Sequence, residues 1–313
     1  MPHWLIKSAT HRIFSFLPWS HRWNELLQVH VSKSAFLHPA QFEQRLSYCA
    51  KHLDNFHRLH AAPGQGFAAF ELGTGWFPVV PLGLYLCGAT EIFTADIAPH
   101  LHPSRIRRAA ELICDYARRN LLQQLLPRLR SDRVAEVQKL LDAGANATSE
   151  ALLKRLNIHV LVRDAQDTGL KPGSIGLFVS NGVLEYIPRP ILSNILDEFR
   201  RVARPGAVTS HFINLGDEFA QFDHSITGFN FLKYPDSRWK WLDSPLTSKS
   251  RLRISDYRQV FQETGWPITI EEDMNGDAAD LEKVRLAPQF QKYSRADLLV
   301  LRAWVAARMV EQH

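Results

Sequence analysis

Gly66-Phe67-Ala68-Ala69-Phe70-Glu71-Leu72-Gly73-Thr74-Gly75 decides how the chain is read. Phe67 to Leu72 is a short apolar run, with loop residues (Pro63, Gly64, Gly66) behind it and glycines ahead, as expected of a strand buried on both faces. The glycines let the backbone turn sharply and approach a ligand closely. Phe77 to Leu86 then reads as a helix entered through Pro78, a residue tolerated in a first turn. A strand passing through a glycine turn into a helix opens an α/β unit, and the helix start offers unpaired N–H groups.

The same alternation continues downstream. Glu91 to Ala95 reads as a second strand closed by Asp96, Ile158 to Val162 as a third ending at Asp164, and Ile175 to Ser180 as a fourth. A helix over about 190–203 and the turn Arg204-Pro205-Gly206 lead into a fifth strand, Val208 to Leu215. A helix from Ser255 to Thr264, a strand near Ile268 to Glu272, and a last strand and helix from Asp297 onward complete the pattern. The expected fold is α/β: a doubly wound, mainly parallel seven-stranded sheet whose ligand crevice lies beyond the carboxyl ends of the strands.

Three regions fall outside this alternation. Residues 1–60 carry helical stripes (Trp23, Leu26, Leu27, His30; Phe42, Leu46, Cys49, Leu53) and read as an N-terminal helical lid before a domain over 61–313. The stretch 104–156 is longer than one crossover helix needs, so it predicts at least one inserted helix, with a break at Asp142 to Asn146. The segment 216–250 concentrates Phe219, Phe222, Phe229, Phe231, Tyr234, Trp239 and Trp241, which suits either a packed cap or the wall of a pocket.

Composition excludes several classes. Of 313 residues, 45% are apolar and 22% charged, ordinary for a globular protein and unlike a disordered one. The formal charge of +5 is compatible with an anionic substrate or a nucleic-acid or membrane contact but requires none. Three cysteines (Cys49, Cys87, Cys114) without a CxxC pair give neither a disulfide framework nor a metal site, and fit a reducing cytoplasm. The longest apolar stretch, Phe77 to Ala89, is too short and too rich in proline and glycine to span a bilayer. The first 20 residues lack a signal-peptide pattern. Trp4, Phe14, Phe16, Leu17 and Trp19 beside basic residues suit a lid, or a peripheral contact with a membrane surface.

Asp96 stands 25 residues after Glu71, at the end of the next strand, where a carboxylate can accept hydrogen bonds from both ribose hydroxyls. Taken alone, a residue of this kind is more often a helix cap or turn residue. The choice of nucleoside rests on two neighbours. A dinucleotide fingerprint needs a third small residue where this chain has Pro78, and a pyrophosphate would be repelled by Glu71. S-adenosylmethionine brings a cationic ammonium and sulfonium, which Glu71 would favour.

Glu71-Leu72-Gly73-Thr74-Gly75 resembles the first motif of the class I S-adenosylmethionine-dependent methyltransferases, and Asp96 their ribose-binding acid. Arg163-Asp164-Ala165 resembles the element that meets the adenine. Ser180-Asn181-Gly182-Val183-Leu184-Glu185-Tyr186-Ile187-Pro188 resembles the stretch after the fourth strand, and Phe199 to Gly206 the turn into the fifth. The resemblance covers about 66–215 and 251–313. It departs at Phe77, which replaces the third glycine; at Tyr186, where many members carry histidine; and at Gly176, where aspartate is common. It implies S-adenosyl-L-methionine as cofactor, held by Glu71, Gly73, Thr74, Gly75, Asp96, Ile97, Asp164, Ala165, Ser180 and Asn181.

It also implies methyl transfer, in which alignment supplies much of the acceleration and a general base helps a hydroxyl or protonated amine. Tyr186, His211 and His224 (with Asp223) are the candidates, His211 being more readily an interior histidine of its strand. The expected acceptor is a small-molecule O or N nucleophile. RNA or protein methylation is the alternative; the base-methylating tetrad is replaced by Ser180-Asn181-Gly182-Val183, and no Pro-Cys pair exists. A nicotinamide-dependent oxidoreductase and a non-catalytic nucleotide-binding protein remain as competing classes.

Overall fold

Strand β1 (Ala68–Leu72) is buried at every position, and its alternation explains why. Ala68, Phe70 and Leu72 point into one core and Ala69 into the other. Such a strand belongs in the middle of a sheet covered on both faces. The computed structural model, which describes residues 36–60, 66–144, 146–221, 223–242 and 249–310, places it there. β1 pairs in parallel with β2 (Glu91–Asp96) on one side and β4 (Ile175–Asn181) on the other. The described residues form one seven-stranded sheet of order β3-β2-β1-β4-β5-β7-β6. β3 is Ile158–Val162, β5 Ala203–Asn214, β6 Ile268–Asn275 and β7 Val300–Arg308. Only β7 runs against its neighbours, pairing antiparallel with both β5 and β6. This is the expected doubly wound, mainly parallel seven-stranded sheet.

One face is covered by helices α1 (Pro39–Leu59), α2 (Val79–Leu86) and α3 (Pro103–Arg118), whose Phe42, Leu46, Leu82 and Ile106 join Ala69, Ile92 and Leu177 of the sheet. Short helices α4 (Leu122–Leu125), α5 (Val134–Gln138) and α6 (Ser149–Lys154) fill the expected helical insertion, with bends at Asp142 and Ala143. The other face is covered by α7 (Arg189–Val202) and α9 (Ile254–Glu263), through Leu192, Phe199, Tyr257 and Phe261 against Phe70 and Phe178. The aromatic segment after β5 includes α8 (Asp236–Leu242). Its Phe229, Phe231 and Trp239 pack on Leu281, Val284 and Phe290, near α10 (Ala278–Glu282) and α11 (Arg295–Leu299), in a third, smaller core. It is therefore a packed cap; Phe222 and residues 243–248 lie outside the described residues.

Three expectations change. Residues 39–59, read as part of a lid, form a helix built into the first core, with Phe42, Leu46 and Cys49 fully buried; the rest of that reading, residues 1–35, lies outside the described residues. Arg204-Pro205-Gly206 falls inside β5, where Gly206 has φ +72° and the pairing with β4 shifts register. At the carboxyl end the helix precedes the strand. Ser294 caps α11 by accepting the Asp297 N–H at 3.1 Å, and the buried run from Ala303 to Ala307 fills the gap between β5 and β6. Among the described residues, no helix is long and apolar enough to cross a membrane.

Candidate functional site

The glycine turn works because its backbone is bent where only glycine bends freely. Gly73 has φ +84° and Gly75 φ +60°. A Cβ on Gly73 would sit 2.4 Å from Val183 Cγ2, so the turn can pack under the β4 loop only with glycine there; one on Gly75 would point into open space. That space is a cleft of about 740 Å³ at the carboxyl ends of β1, β2 and β4.

Glu71, Gly73, Thr74 and Gly75 line it from β1 and its turn. Asp96 and Ile97 line it from β2, Asp164 and Ala165 from β3, and Asn181 and Tyr186 from the β4 loop. Ser180 does not. It is fully buried beneath the floor, with Oγ 2.8 Å from His211 Nδ1. His211 is likewise interior, its ring against Phe261, and burial holds its pKa down to about 3. His224 is exposed and outside the cleft, and Asp223 is turned onto Ser225. The structure thus places both histidines outside the cleft. A histidine at that point of a β5 whose two faces are covered points into a core, which the spacing alone did not distinguish from the cleft.

The turn's own donors are engaged. Gly73 N–H and Thr74 N–H both donate to Ala95 O (2.8 and 3.3 Å), and Gly75 N–H donates to Asp96 Oδ2 (3.1 Å). Helix α2 adds little. Pro78 and Pro81 carry no N–H, and Val79 N–H already donates to Phe77 O.

Side chains form a relay behind the turn. Thr94 Oγ1 donates to Glu71 Oε2 (2.8 Å), so Thr74 Oγ1, 2.6 Å away, is the donor to Thr94. Burial, opposed by the Thr94 hydrogen bond and the Arg45 charge, pushes the Glu71 carboxyl up to about 8. Its acid is therefore largely protonated at neutral pH in the unliganded protein, a correction to the simple picture of a standing anion. Asp96, by contrast, keeps contact with solvent, and Asp164 is exposed, accepting from Gln166 N–H (2.9 Å) and Nε2 (2.8 Å).

Helix α1 contributes residues that the strand-end motifs did not reveal. Gln44, Arg45 and Tyr48 line the cleft. Arg45 Nη1 donates to Phe77 O (3.2 Å), and desolvation lowers its pKa against the pull of Glu71. One turn further along, His52 is fully buried between Ser210 Oγ (2.9 Å) and Asn181 Oδ1 (3.0 Å). Burial lowers its pKa to about 3, so it is neutral. Asn181 Oδ1 can only accept, which places the His52 proton on Nε2 and makes Ser210 the donor to Nδ1. Asn55 Nδ2 completes the chain at 3.0 Å from Ser210 Oγ.

At the other end Tyr186 donates its hydroxyl proton to Glu218 Oε1. Lys249 Nζ lies 3.6 Å from the same carboxylate and donates to Asn214 O (3.1 Å) and Gly216 O (3.0 Å). Tyr186 is thus clamped by the loop that follows β5. Position in the sequence marked Tyr186; nothing local marked Glu218 and Lys249 as its partners.

No family model matches the chain, and no curated protein matches it. Solved structures are similar in arrangement. One is a chain of the complex between the Haloferax volcanii Trm112 methyltransferase activator and a methyltransferase (15% identity, TM-score 0.45, covering 87% of this chain and 92% of that one). Another is an S-adenosylmethionine-dependent methyltransferase from Methanosarcina mazei (13%, 0.44, 82% and 97%). A third is geranyl diphosphate C-methyltransferase from Streptomyces coelicolor (9%, 0.44, 87% and 85%). These likenesses are too distant to carry a substrate or an activity to this chain.

Proposed function

We propose that the chain is an S-adenosylmethionine-dependent methyltransferase acting on an O or N atom of a small-molecule acceptor. The observation that carries this is the state of the glycine turn. Its three amides are engaged by Ala95 O and Asp96, and Pro78 at the cap of α2 with Pro81 in its first turn leave little for a pyrophosphate to bind. What faces the cleft instead are two carboxyl groups: Glu71 on β1, protonated until a cation draws its proton off, and Asp96 on β2. That pattern suits a nucleoside with a cationic side chain and disfavours a nicotinamide dinucleotide.

In this reading Asp96 accepts hydrogen bonds from the ribose, Glu71 meets the ammonium of the methionine part, and Ala165, Ile97 and Asp164 flank the adenine. The bound cofactor supplies an electrophilic methyl group on a sulfonium. The protein's part is to hold the acceptor in line and to take its proton. Tyr186 replaces His211 and His224 as the candidate base. Tyr186 lines the cleft, and its hydroxyl donates to Glu218, which stands to receive the phenol's own proton. The cleft, about 740 Å³, has the volume of a small-molecule site, and Phe229, Phe231 and Trp239 of the aromatic segment are packed into the third core, away from it.

Calorimetry with S-adenosylhomocysteine and NADH tests the reading. S-adenosylhomocysteine is expected to bind and NADH not; binding of NADH alone refutes it.

A further inference from the structure

We infer that the methyl acceptor is a planar aromatic molecule carrying an anionic group, which lies on an aromatic floor beside the cleft with its charge on Arg302. The inference names a substrate class for the methyltransferase reading above and rests on it.

Alternation along the strands builds the floor. Ser210, Phe212 and Asn214 of β5 share one face, and antiparallel pairing sets Trp304 of β7 beside Phe212 and Arg302 beside Asn214. This is the face that α1 covers, since His52 reaches Ser210 there (2.9 Å). Tyr48, one turn before His52, has its ring 4.8 Å from that of Phe212 and 5.4 Å from that of Trp304, and the Phe212 and Trp304 rings are 5.2 Å apart. Helix α1 does not seal these rings. Tyr48 and Phe212 keep part of their surface accessible, and Tyr48 also lines the cofactor cleft. So does Asn181, the β4 neighbour of Phe212, and the floor is therefore continuous with the cleft. A planar ring gains more from such a surface than an aliphatic chain does, because it stacks or meets it edge to face.

Arg302 supplies the other half of the assignment. It is exposed, one residue pair beyond the rings towards the carboxyl end of β5, and its charge acts on Tyr48 more strongly than that of Arg45. The acid on this face of β6, Glu272 beside Trp304, is taken by Lys51 (2.6 Å) and Arg58 (3.5 Å). Arg302 itself pairs with no carboxylate among the described residues. An uncompensated cation next to an aromatic surface complements a molecule with a flat apolar body and an anion at one end. From β4, at the cleft, to β7 is two strand spacings, roughly 10 Å, which a two-ring acid spans.

Calorimetry with 6-hydroxy-2-naphthoate and its neutral amide, 6-hydroxy-2-naphthamide, tests the assignment, each titrated with and without saturating S-adenosylhomocysteine. The wild-type protein is expected to bind the acid about fivefold more tightly than the amide, the gain from one ion pair at an exposed position. Arg302→Gln is expected to weaken the acid alone and bring the two affinities within about twofold of each other. Phe212→Leu keeps an apolar side chain and loses the ring; it is expected to weaken both compounds about 2- to 10-fold and preserve their ratio. Neither substitution should move the affinity for S-adenosylhomocysteine by more than about twofold. Equal affinities in the wild type, or a preference that survives Arg302→Gln, overturns the role of Arg302 and with it the anionic acceptor. Absence of binding by both compounds overturns the acceptor class, and is the result expected of a floor that serves only as packing between α1 and the sheet. If S-adenosylhomocysteine binds in that case, the cofactor reading is untouched. If the acid binds with the expected preference and S-adenosylhomocysteine does not bind, the aromatic-acid site stands and the cofactor reading falls.

Discussion

Replacing Glu71 by Gln should change how stability depends on pH, by an amount the structure sets. Burial raises the Glu71 carboxyl from an ordinary value of 4.5 to about 8. Between those limits the folded protein holds a proton that the unfolded chain has released. Stability therefore falls as pH rises through the window, at a limiting slope of about 1.4 kcal/mol per pH unit. Glutamine keeps the shape and the oxygen that accepts from Thr94, and cannot ionise. The stability difference between variant and wild type should then move in favour of the variant by about 2–3 kcal/mol between pH 5.5 and 7.5. Contributions from other titrating groups cancel in that difference. Urea unfolding of both proteins at intervals of half a pH unit measures it, with the slope m checked for constancy. A difference independent of pH would show that Glu71 ionises normally in the fold, and would refute both the burial argument and the protonated state of the unliganded site.

If an ammonium ligand forces Glu71 to ionise, S-adenosylhomocysteine should bind more tightly as pH rises from 6 to 8, up to about tenfold per unit, with proton release detectable by calorimetry in buffers of different ionisation heat; Glu71→Gln should abolish the trend. Asp96→Ala should weaken S-adenosylhomocysteine by about 10- to 100-fold, because it removes the ribose acceptor and frees the Gly75 N–H; unchanged affinity in calorimetry removes Asp96 from the site. Gly73→Ala should lose more than about 2 kcal/mol in urea unfolding, since its Cβ meets Val183 at 2.4 Å with φ +84°, whereas Gly75→Ala should fold at a cost of about 1–2 kcal/mol and fail mainly in binding. His52→Leu should cost about 1–3 kcal/mol by stranding Ser210 and Asn181, with no pH dependence between 5 and 8 because His52 is already neutral there.

The sheet was legible because it is made of local signals. β1 to β4 show as short apolar runs ending in glycine or acid, and the residues at their ends line the cleft directly. β3 is found at its expected limits, Ile158–Val162. What failed to show was whatever depends on where a side chain faces. Phe229 and Trp239 read equally as pocket wall or packed cap until Leu281 and Phe290, some 50 residues on, are seen to cover them. His211 and Asn181 sit on neighbouring strands, yet one meets Phe261 inside a core and the other the cleft. The order of β7 and its helix was lost because Asp297, taken as the start of a strand, is the first-turn acid of a capped helix.

Helix α1 shows best how the site depends on what the motifs leave out. Its apolar stripe was visible at Phe42, Leu46, Cys49 and Leu53, and a stripe of that kind fits a mobile lid as well as a fixed wall. The discriminating residues are polar. Neutral His52, bonded at both ring nitrogens to Ser210 of β5 and Asn181 of β4, ties the helix to the sheet by bonds that a lid would have to break at every opening. Opening would also break the Asn55–Ser210 bond, each such bond contributing about 0.5–1.5 kcal/mol net. Helix α1 is therefore held closed over the sheet whether or not a ligand is present, and Arg45 and Tyr48 are fixed beside the cleft before any ligand arrives. A wall fixed in that way has its binding groups pre-organised, so the site loses little entropy on binding and discriminates between ligands by charge placement.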